Sequence, residues 1–107
     1  MTEKRTGNTI EVIGLGGELD VTQKQALTAR LSGAGNAEIT IVDLSAVTYI
    51  DSAALTVFIE HLKEAQRSSR DLRFIVARAQ PIHRIFEVTG LTRLFKLYEN
   101  QEQAKRG

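Results

Sequence analysis

The stretch 47-VTYIDSAALTVFIEHL-62 joins two different local patterns. Before Asp51 the residues are mostly apolar or β-branched, as in a strand, and after Ser52 apolar side chains recur at helical spacing. One apolar helix face is formed by positions i, i+3, i+4 and i+7, which are Leu55, Phe58, Ile59 and Leu62. The stretch therefore predicts a strand region that runs into Asp51 and a helix over residues 52–67.

The rest of the chain repeats this alternation of strands and helices. Residues 9–20 predict a strand pair or one bent strand, because several glycines interrupt the apolar pattern. The other predicted elements are strands at 38–44, at 72–77 and within 91–98, and helices at 21–32 and after Pro81. This order predicts an α/β fold, a mixed β-sheet of about four to five strands with about three to four helices packed against it.

The length and the residue types limit what kind of protein this is. The chain has 107 residues, which fits a single domain over 1–107. We expect the polar start at 1–8 to be frayed, and the tail at 101–107 to be either a short helix or frayed. It has no cysteine, which excludes disulfides and thiolate metal sites. The two histidines, His61 and His83, lie 22 positions apart, so we expect no metal site and no cofactor.

Hydropathy and charge bear on location and partners. No apolar run approaches the roughly 20 residues of a membrane-spanning helix, and the polar first dozen residues do not resemble a signal peptide. We therefore expect a cytoplasmic protein without membrane insertion. The net charge is +1, which predicts no direct binding to nucleic acid. Residues 1–60 carry a net −4 and residues 61–107 a net +5, an asymmetry that either steers a partner or reflects solvated helix faces.

Ser52 stands at the predicted start of the helix over 52–67, where backbone N–H groups lack partners and the helix end is partly positive. One interpretation is that its hydroxyl caps the helix, as serine often does. The other is that it is presented for phosphorylation or for a partner, because a helix N-terminus suits an added negative charge. Asp20 either caps the first helix or belongs to a functional site, and Asp51 either only interacts favourably with the helix dipole or belongs to that site as well.

A hydrolase interpretation of Asp51, Ser52 and His61 fails on helical geometry. Nine positions separate Ser52 from His61, and this spacing, about 13.5 Å along the axis, puts the two side chains on opposite faces. No Gly-x-Ser-x-Gly elbow is present, and 14-GLGG-17 is not followed by the Lys-Ser/Thr of a phosphate-binding loop. We therefore expect a protein that is not an enzyme.

Three blocks of sequence resemble a known family in order and spacing. They are 17-GELDVTQKQAL-27, 43-DLSAVTYIDSAAL-55 and 84-RIFEVTGLTRLFKLYEN-100. They resemble the Gly-Glu-Leu-Asp block, the Asp-Leu-Ser … Asp-Ser-Ser/Thr-Gly-Leu block and the Phe-x-x-x-Gly-Leu block of the STAS domain. The resemblance covers residues 8–103, and it is to the stand-alone, anti-sigma-factor-antagonist type of this domain.

The resemblance implies a regulatory mechanism. An antagonist of this type binds an anti-sigma factor that is also a serine kinase of the histidine-kinase ATPase type, and so frees a sigma factor for transcription. The kinase phosphorylates the serine that corresponds to Ser52, binding ends, and a phosphatase resets the protein, which is a monomer or weak dimer. The implied partner surface consists of Asp20, Thr22, Asp51, Ser52, Ala53, Ala54 and Thr56.

The motif departs from the family pattern at two positions. Ala53 stands where the family usually has Ser or Thr, and Ala54 where it usually has Gly, which predicts an added methyl group at the partner contact. This departure keeps an alternative open: a STAS interaction subunit of a transporter or stress-signalling complex, in which Ser52 only caps its helix. A nucleotide-binding protein is a further alternative, although the sequence contains no recognisable phosphate loop.

Overall fold

In the part of the chain that the structure describes, four parallel strands form the sheet. The structure, a computed structural model, describes residues 9–33 and 37–107, so the expectation for residues 1–8 lies outside the described ranges. The strands are β1 (Ile10–Leu19), β2 (Ile39–Ile50), β3 (Asp71–Ile75) and β4 (Lys96–Tyr98), in the order β1-β2-β3-β4. The helices are α1 (Lys24–Ser32), α2 (Ser52–Arg67), α3 (His83–Val88) and α4 (Gln101–Arg106), with 3-10 turns at Val21–Gln23 and Leu91–Arg93.

The predicted α/β class is confirmed, with four strands and four helices in the described ranges. The strand pairs in those ranges are all parallel, whereas the sequence predicts a mixed sheet. The reason is that residues 10–19 form one strand instead of a pair, and helical segments return the chain to the same end of the sheet before each new strand. The predicted strand at 38–44 and the predicted strand region before Asp51 form one continuous strand, β2, which ends at Ile50.

β1 takes the bent form of the two predicted possibilities. Its pairing with β2 slips between Gly14 and Gly16, and again just after Gly17. Gly17 has φ +71°, a conformation that residues with side chains rarely adopt. Beyond the bend Leu19 is paired with Ile50, so the carboxyl ends of the two strands stay together.

The main core lies between the sheet and the helices α1, α2 and α3. Phe58 of α2, Phe74 of β3 and Phe86 of α3 are fully buried in it. Phe95 links two of them, because its ring centroid lies 4.8 Å from that of Phe74 and 5.8 Å from that of Phe86. The predicted apolar face of α2 is confirmed by the burial of Leu55, Phe58 and Leu62, with Ile59 half-buried.

α4 covers the opposite face of the sheet. Its Ala104 is fully buried and packs with Ile41 of β2 and Ile75 of β3. Arg73 Nη1 donates to the Ala104 carbonyl oxygen at 2.6 Å, at the C-terminal end of the helix, where positive charge is favoured. Residues 101–106 are therefore helical, which is one of the two alternatives that the sequence leaves for this tail.

Asp71 supports Arg73 from the start of β3. Its Oδ2 accepts from Arg73 Nε at 2.9 Å, and its Oδ1 accepts from Lys96 Nζ at 2.9 Å. Burial on its own would raise the pKa of Asp71, but the hydrogen bonds from Lys96 and Arg73 outweigh it, so the pKa lies below its ordinary value. The ionised carboxylate therefore stabilises the folded state.

Asp71→Asn should lower the free energy of unfolding by about 1–2 kcal/mol at neutral pH. Because the folded-state pKa is lowered, the carboxylate stabilises the fold above about pH 4 and loses this effect as the pH falls through the folded-state pKa. When unfolding in urea is measured from acid to neutral pH, the free energies of unfolding of the wild type and of Asp71→Asn should become equal in acid. Glu102→Gln, which removes an exposed pair with Arg106, is a control with little expected effect. A loss that does not vary with pH would contradict the role of the charge.

Candidate functional site

The carboxyl ends of β1 and β2 lie side by side and bring two acidic residues to one edge of the sheet. The Asp51 N–H donates to the Leu19 carbonyl oxygen at 3.0 Å, which continues the pairing of the two strands. Asp20 follows β1, Asp51 follows β2, and each directly precedes a helical segment. Open α/β sheets commonly bind their ligands at this edge.

Asp51 joins the two loops through both oxygens of its carboxylate. Oδ1 accepts from the Ala54 N–H at 3.0 Å and so caps α2, with Asp51 extended at φ −101°. Oδ2 accepts from the Val21 N–H at 2.9 Å, which lies 30 positions earlier in the chain. One half-buried carboxylate thus satisfies backbone donors of two helical segments and fixes the loop after β1 against the start of α2.

Ser52 is the first residue of α2 and is exposed. The interpretation of Ser52 as the helix cap is wrong, because Asp51 holds that position and accepts the N–H that a cap would take. The Ser52 carbonyl oxygen accepts from Thr56 Oγ1 at 2.9 Å, one turn along the helix. Within residues 9–33 and 37–107 the Ser52 hydroxyl itself has no hydrogen-bond partner. It is therefore accessible from solvent.

Asp20 caps the 3-10 turn Val21–Gln23, which leads into α1. Its carboxylate accepts from the Thr22 N–H at 3.0 Å, and also from the Thr22 hydroxyl. The capping interpretation of Asp20 is confirmed by these bonds. Thr22 is exposed, so this pair also forms part of the surface next to Asp51.

The two alanines of the motif lie in different surroundings. Ala53 is half-buried, whereas Ala54 is 1% exposed and belongs to the main core. The prediction that the Ala54 methyl group stands at the partner contact is therefore wrong, because the helix turns this side chain inward. The other members of the predicted partner surface remain wholly or partly accessible: Asp20, Thr22, Asp51, Ser52, Ala53 and Thr56.

Two exposed apolar side chains at this edge are absent from the sequence-based prediction. Val21 is 63% exposed, and Tyr49, two positions before Asp51, is 48% exposed. Strict alternation from buried Val47 would turn Tyr49 inward, but the pairing with β1 skips Thr48, so Tyr49 points outward. Val21 could have been identified from the sequence as an apolar residue that directly follows a capping aspartate.

Both histidines have neighbours other than Ser52. His61 Nδ1 lies 3.0 Å from the Val57 carbonyl oxygen, and its Nε2 lies 3.4 Å from Ser32 Oγ. His83 Nδ1 lies 3.6 Å from a carboxylate oxygen of Glu87. The arrangement therefore supplies no histidine base for Ser52.

The described part of the chain contains neither a cluster of metal-ligating side chains nor a helix suited to cross a membrane. No group of three or more His, Asp or Glu side chains there is arranged to hold a metal ion. No helix in the same ranges is both long enough and apolar enough to cross a membrane.

Comparison with known proteins finds relatives along nearly the whole chain. A family model described as STAS domain matches residues 1–104. The chain is 31% identical over 103 residues to the anti-sigma-B factor antagonist of Staphylococcus aureus (strain NCTC 8325 / PS 47), covering 94% of each. The crystal structure of an anti-sigma factor antagonist from Mycobacterium paratuberculosis has a TM-score of 0.80 at 22% identity, covering 95% of this chain and 87% of that one. The structure of the Bacillus cell fate determinant SpoIIAA in the phosphorylated form has a TM-score of 0.67 at 19% identity, covering 96% and 95%.

Proposed function

We propose that this chain, which belongs to the STAS domain family, is an anti-sigma-factor antagonist that is switched off by phosphorylation of Ser52. In this role it binds an anti-sigma factor that is also a serine kinase of the histidine-kinase ATPase type, and thereby releases a sigma factor for transcription. Phosphorylation ends the binding, and a phosphatase restores it. The protein catalyses no reaction itself and acts in the cytoplasm as a monomer or weak dimer.

The observation that carries this proposal is the accessible hydroxyl of Ser52 at the start of α2. Asp51 makes the capping bond, so the serine is not needed to hold the helix end. A side chain that makes no contact on which the fold depends can be modified without a change in the fold. This is the property that a regulatory phosphorylation site needs.

The start of α2 also suits the charge that phosphorylation adds. A phosphoryl group carries about −1.5 to −2 charges at neutral pH. Ser52 opens a helix of 16 residues, and the partial positive charge of a helix N-terminus favours an anion there. We therefore expect phosphorylation to leave the fold intact and to act on the interface, where Asp20 and Asp51 already contribute negative charge.

The partner in this proposal binds a surface that combines polar motif residues with two apolar ones. This Ser52 surface consists of Asp20, Val21, Thr22, Tyr49, Asp51, Ser52, Ala53 and Thr56. Tyrosine is enriched among the residues that dominate binding free energy at interfaces. A partner that covers the whole of this surface also buries the Ser52 hydroxyl, and a phosphoryl group would then be desolvated near the Asp51 carboxylate.

The relatives support both parts of this proposal. The Staphylococcus aureus relative, at 31% identity over nearly the whole chain, is named an anti-sigma-B factor antagonist, which supports an anti-sigma factor as the partner. The Bacillus protein with the same fold is described in a phosphorylated form, which supports modification as the switch.

The intact mass of the protein isolated from its own host tests the proposal. We expect the mass of one added phosphoryl group under growth or stress conditions, and its loss in Ser52→Ala. Thr56→Ala, which removes an exposed hydroxyl one turn further along α2, should still acquire the group. An unmodified mass in every condition would refute the switch and would favour the alternative of a STAS interaction subunit that is not phosphorylated.

A further inference from the structure

A cavity of about 190 Å³ lies at the opposite end of α2 from Ser52. It is partly open to solvent, since Ser32 and Glu64 in its wall are exposed. The wall consists of the last residues of α1, the second half of α2 and the first residues of β2 and β3, and part of it is apolar: Leu31, Ala65 and Leu72. His61, which lines it, is nine positions from Ser52, about 13.5 Å along the helix axis. The cavity is therefore separate from the Ser52 surface.

Thr40 brings a buried hydroxyl to this cavity. Ile39 and Ile41 face α4, so Thr40 between them faces the α2 side of β2, and it is 7% exposed. In the ranges that the structure describes, its hydroxyl makes no hydrogen bond. Burying an unpaired hydroxyl costs free energy, and valine would have nearly the same shape without that cost. The threonine therefore points to a hydrogen-bonding ligand in the cavity.

His61 and Ser32 form a second polar point in the wall. His61 Nδ1 lies 3.0 Å from the Val57 carbonyl oxygen, which only accepts, so Nδ1 carries the proton. In the neutral ring Nε2 is then an acceptor, and it faces Ser32 Oγ at 3.4 Å. At that length the contact is weak, and both groups can turn to a bound molecule.

The charged side chains in the wall already have partners. Glu64 is paired with Arg67 at 2.8 Å, Asp71 accepts from two cations, and Arg70 has a partner as well. A charged ligand would therefore find no unbalanced charge. The size of the cavity sets the size of the ligand, since a cavity of about 150 Å³ holds benzene.

We propose that this cavity binds a small neutral molecule with an apolar body of about benzene size and one hydroxyl group. The body packs against Leu31 and Leu72, and the hydroxyl exchanges hydrogen bonds with Thr40. Where the ligand carries a second polar group, the Ser32–His61 pair accepts a hydrogen bond from it or donates one to it. This binding does not depend on phosphorylation or on the Ser52 surface.

Titration of the ¹⁵N-labelled protein with phenol and with benzene, followed by NMR, tests the proposal. We expect both to shift amides around the cavity, with phenol bound more tightly. Thr40→Val should weaken phenol binding by about tenfold and leave benzene binding unchanged, because it removes only the hydroxyl. Thr40→Ser, which keeps the hydroxyl, should retain the preference for phenol, and Ala65→Leu should abolish both by filling the space.

Three results would overturn the proposal: no shifts around the cavity with either probe, shifts confined to another part of the chain, or equal phenol affinity in wild type and Thr40→Val. The same spectra report whether each variant is folded. Since the probes and variants lie at the far end of α2, failure here would leave the proposed role of Ser52 intact.

Discussion

Ser52→Asp should weaken binding of the proposed partner, an anti-sigma factor, by more than about a hundredfold while the fold stays intact. The position is the exposed first residue of α2, so the free energy of unfolding should change by less than about 0.5 kcal/mol. At the proposed interface the same carboxylate would be buried beside Asp51, and the residues of the Ser52 surface include no cation to pair with it. Burying an unpaired charge costs at least about 3 kcal/mol, which corresponds to the expected loss of affinity.

Gln101→Asp is a matched control for this experiment. Gln101 is the exposed first residue of α4 and follows the capping residue Asn100, as Ser52 follows Asp51. α4 lies on the other face of the sheet, so the new charge should leave binding unchanged. Ser52→Ala should bind like the unmodified protein. Titration calorimetry with the purified anti-sigma factor measures all three, and undiminished affinity of Ser52→Asp would refute the switch.

Asp51→Ala should lower the free energy of unfolding by about 2–3 kcal/mol, because it removes the cap of α2 and also the bond to the Val21 N–H. Asp51→Asn should lose only about 1 kcal/mol, since one amide oxygen can still cap the helix while the other acceptor is gone. Asp51→Ala should also bind the partner more weakly, because the loop after β1 and the start of α2, which both contribute to the Ser52 surface, are then no longer fixed to each other.

Comparison with Asn100→Ala isolates the contribution of the hydrogen bond between the Val21 N–H and Asp51. Asn100 caps α4 through one bond, from the Gln103 N–H at 2.9 Å, and its loss should cost about 1 kcal/mol. Chemical denaturation of both alanine variants measures the difference. If Asp51→Ala is no more destabilising than Asn100→Ala, the bond between the two loops contributes nothing to stability.

The helices and strands in which apolar residues recur at regular spacing could be predicted from the sequence. The helical spacing of Leu55, Phe58 and Leu62 predicts α2 within its observed bounds, and the β-branched run at 38–44 predicts the buried part of β2. These patterns are reliable because burial of one face is what stabilises each element. The joining of the run at 38–44 with the strand region before Asp51 was less predictable, because the polar and exposed residues between them depend on pairing with β1.

The finer features of the site depended on contacts that a local pattern does not contain. Asp51 and Ser52 are both good caps, and a shift of one residue in the helix boundary decides between them. Asp51 rather than Ser52 is the cap of α2, and this choice follows from a second bond that Asp51 accepts from the Val21 N–H, which is distant in sequence. Ala54 is small enough to suit either a surface or a core, so its burial became visible only with the packing of α2 on the sheet.

The bond between Asp51 and the Val21 N–H has a consequence for the entropy of binding. Val21 presents an exposed apolar side chain, yet its backbone is tied to a carboxylate that also holds α2, so its amide should exchange with deuterium only when the start of α2 opens. An exposed turn of this kind is already ordered before any partner arrives. The partner therefore meets a preformed surface, and little backbone freedom remains to be lost on association.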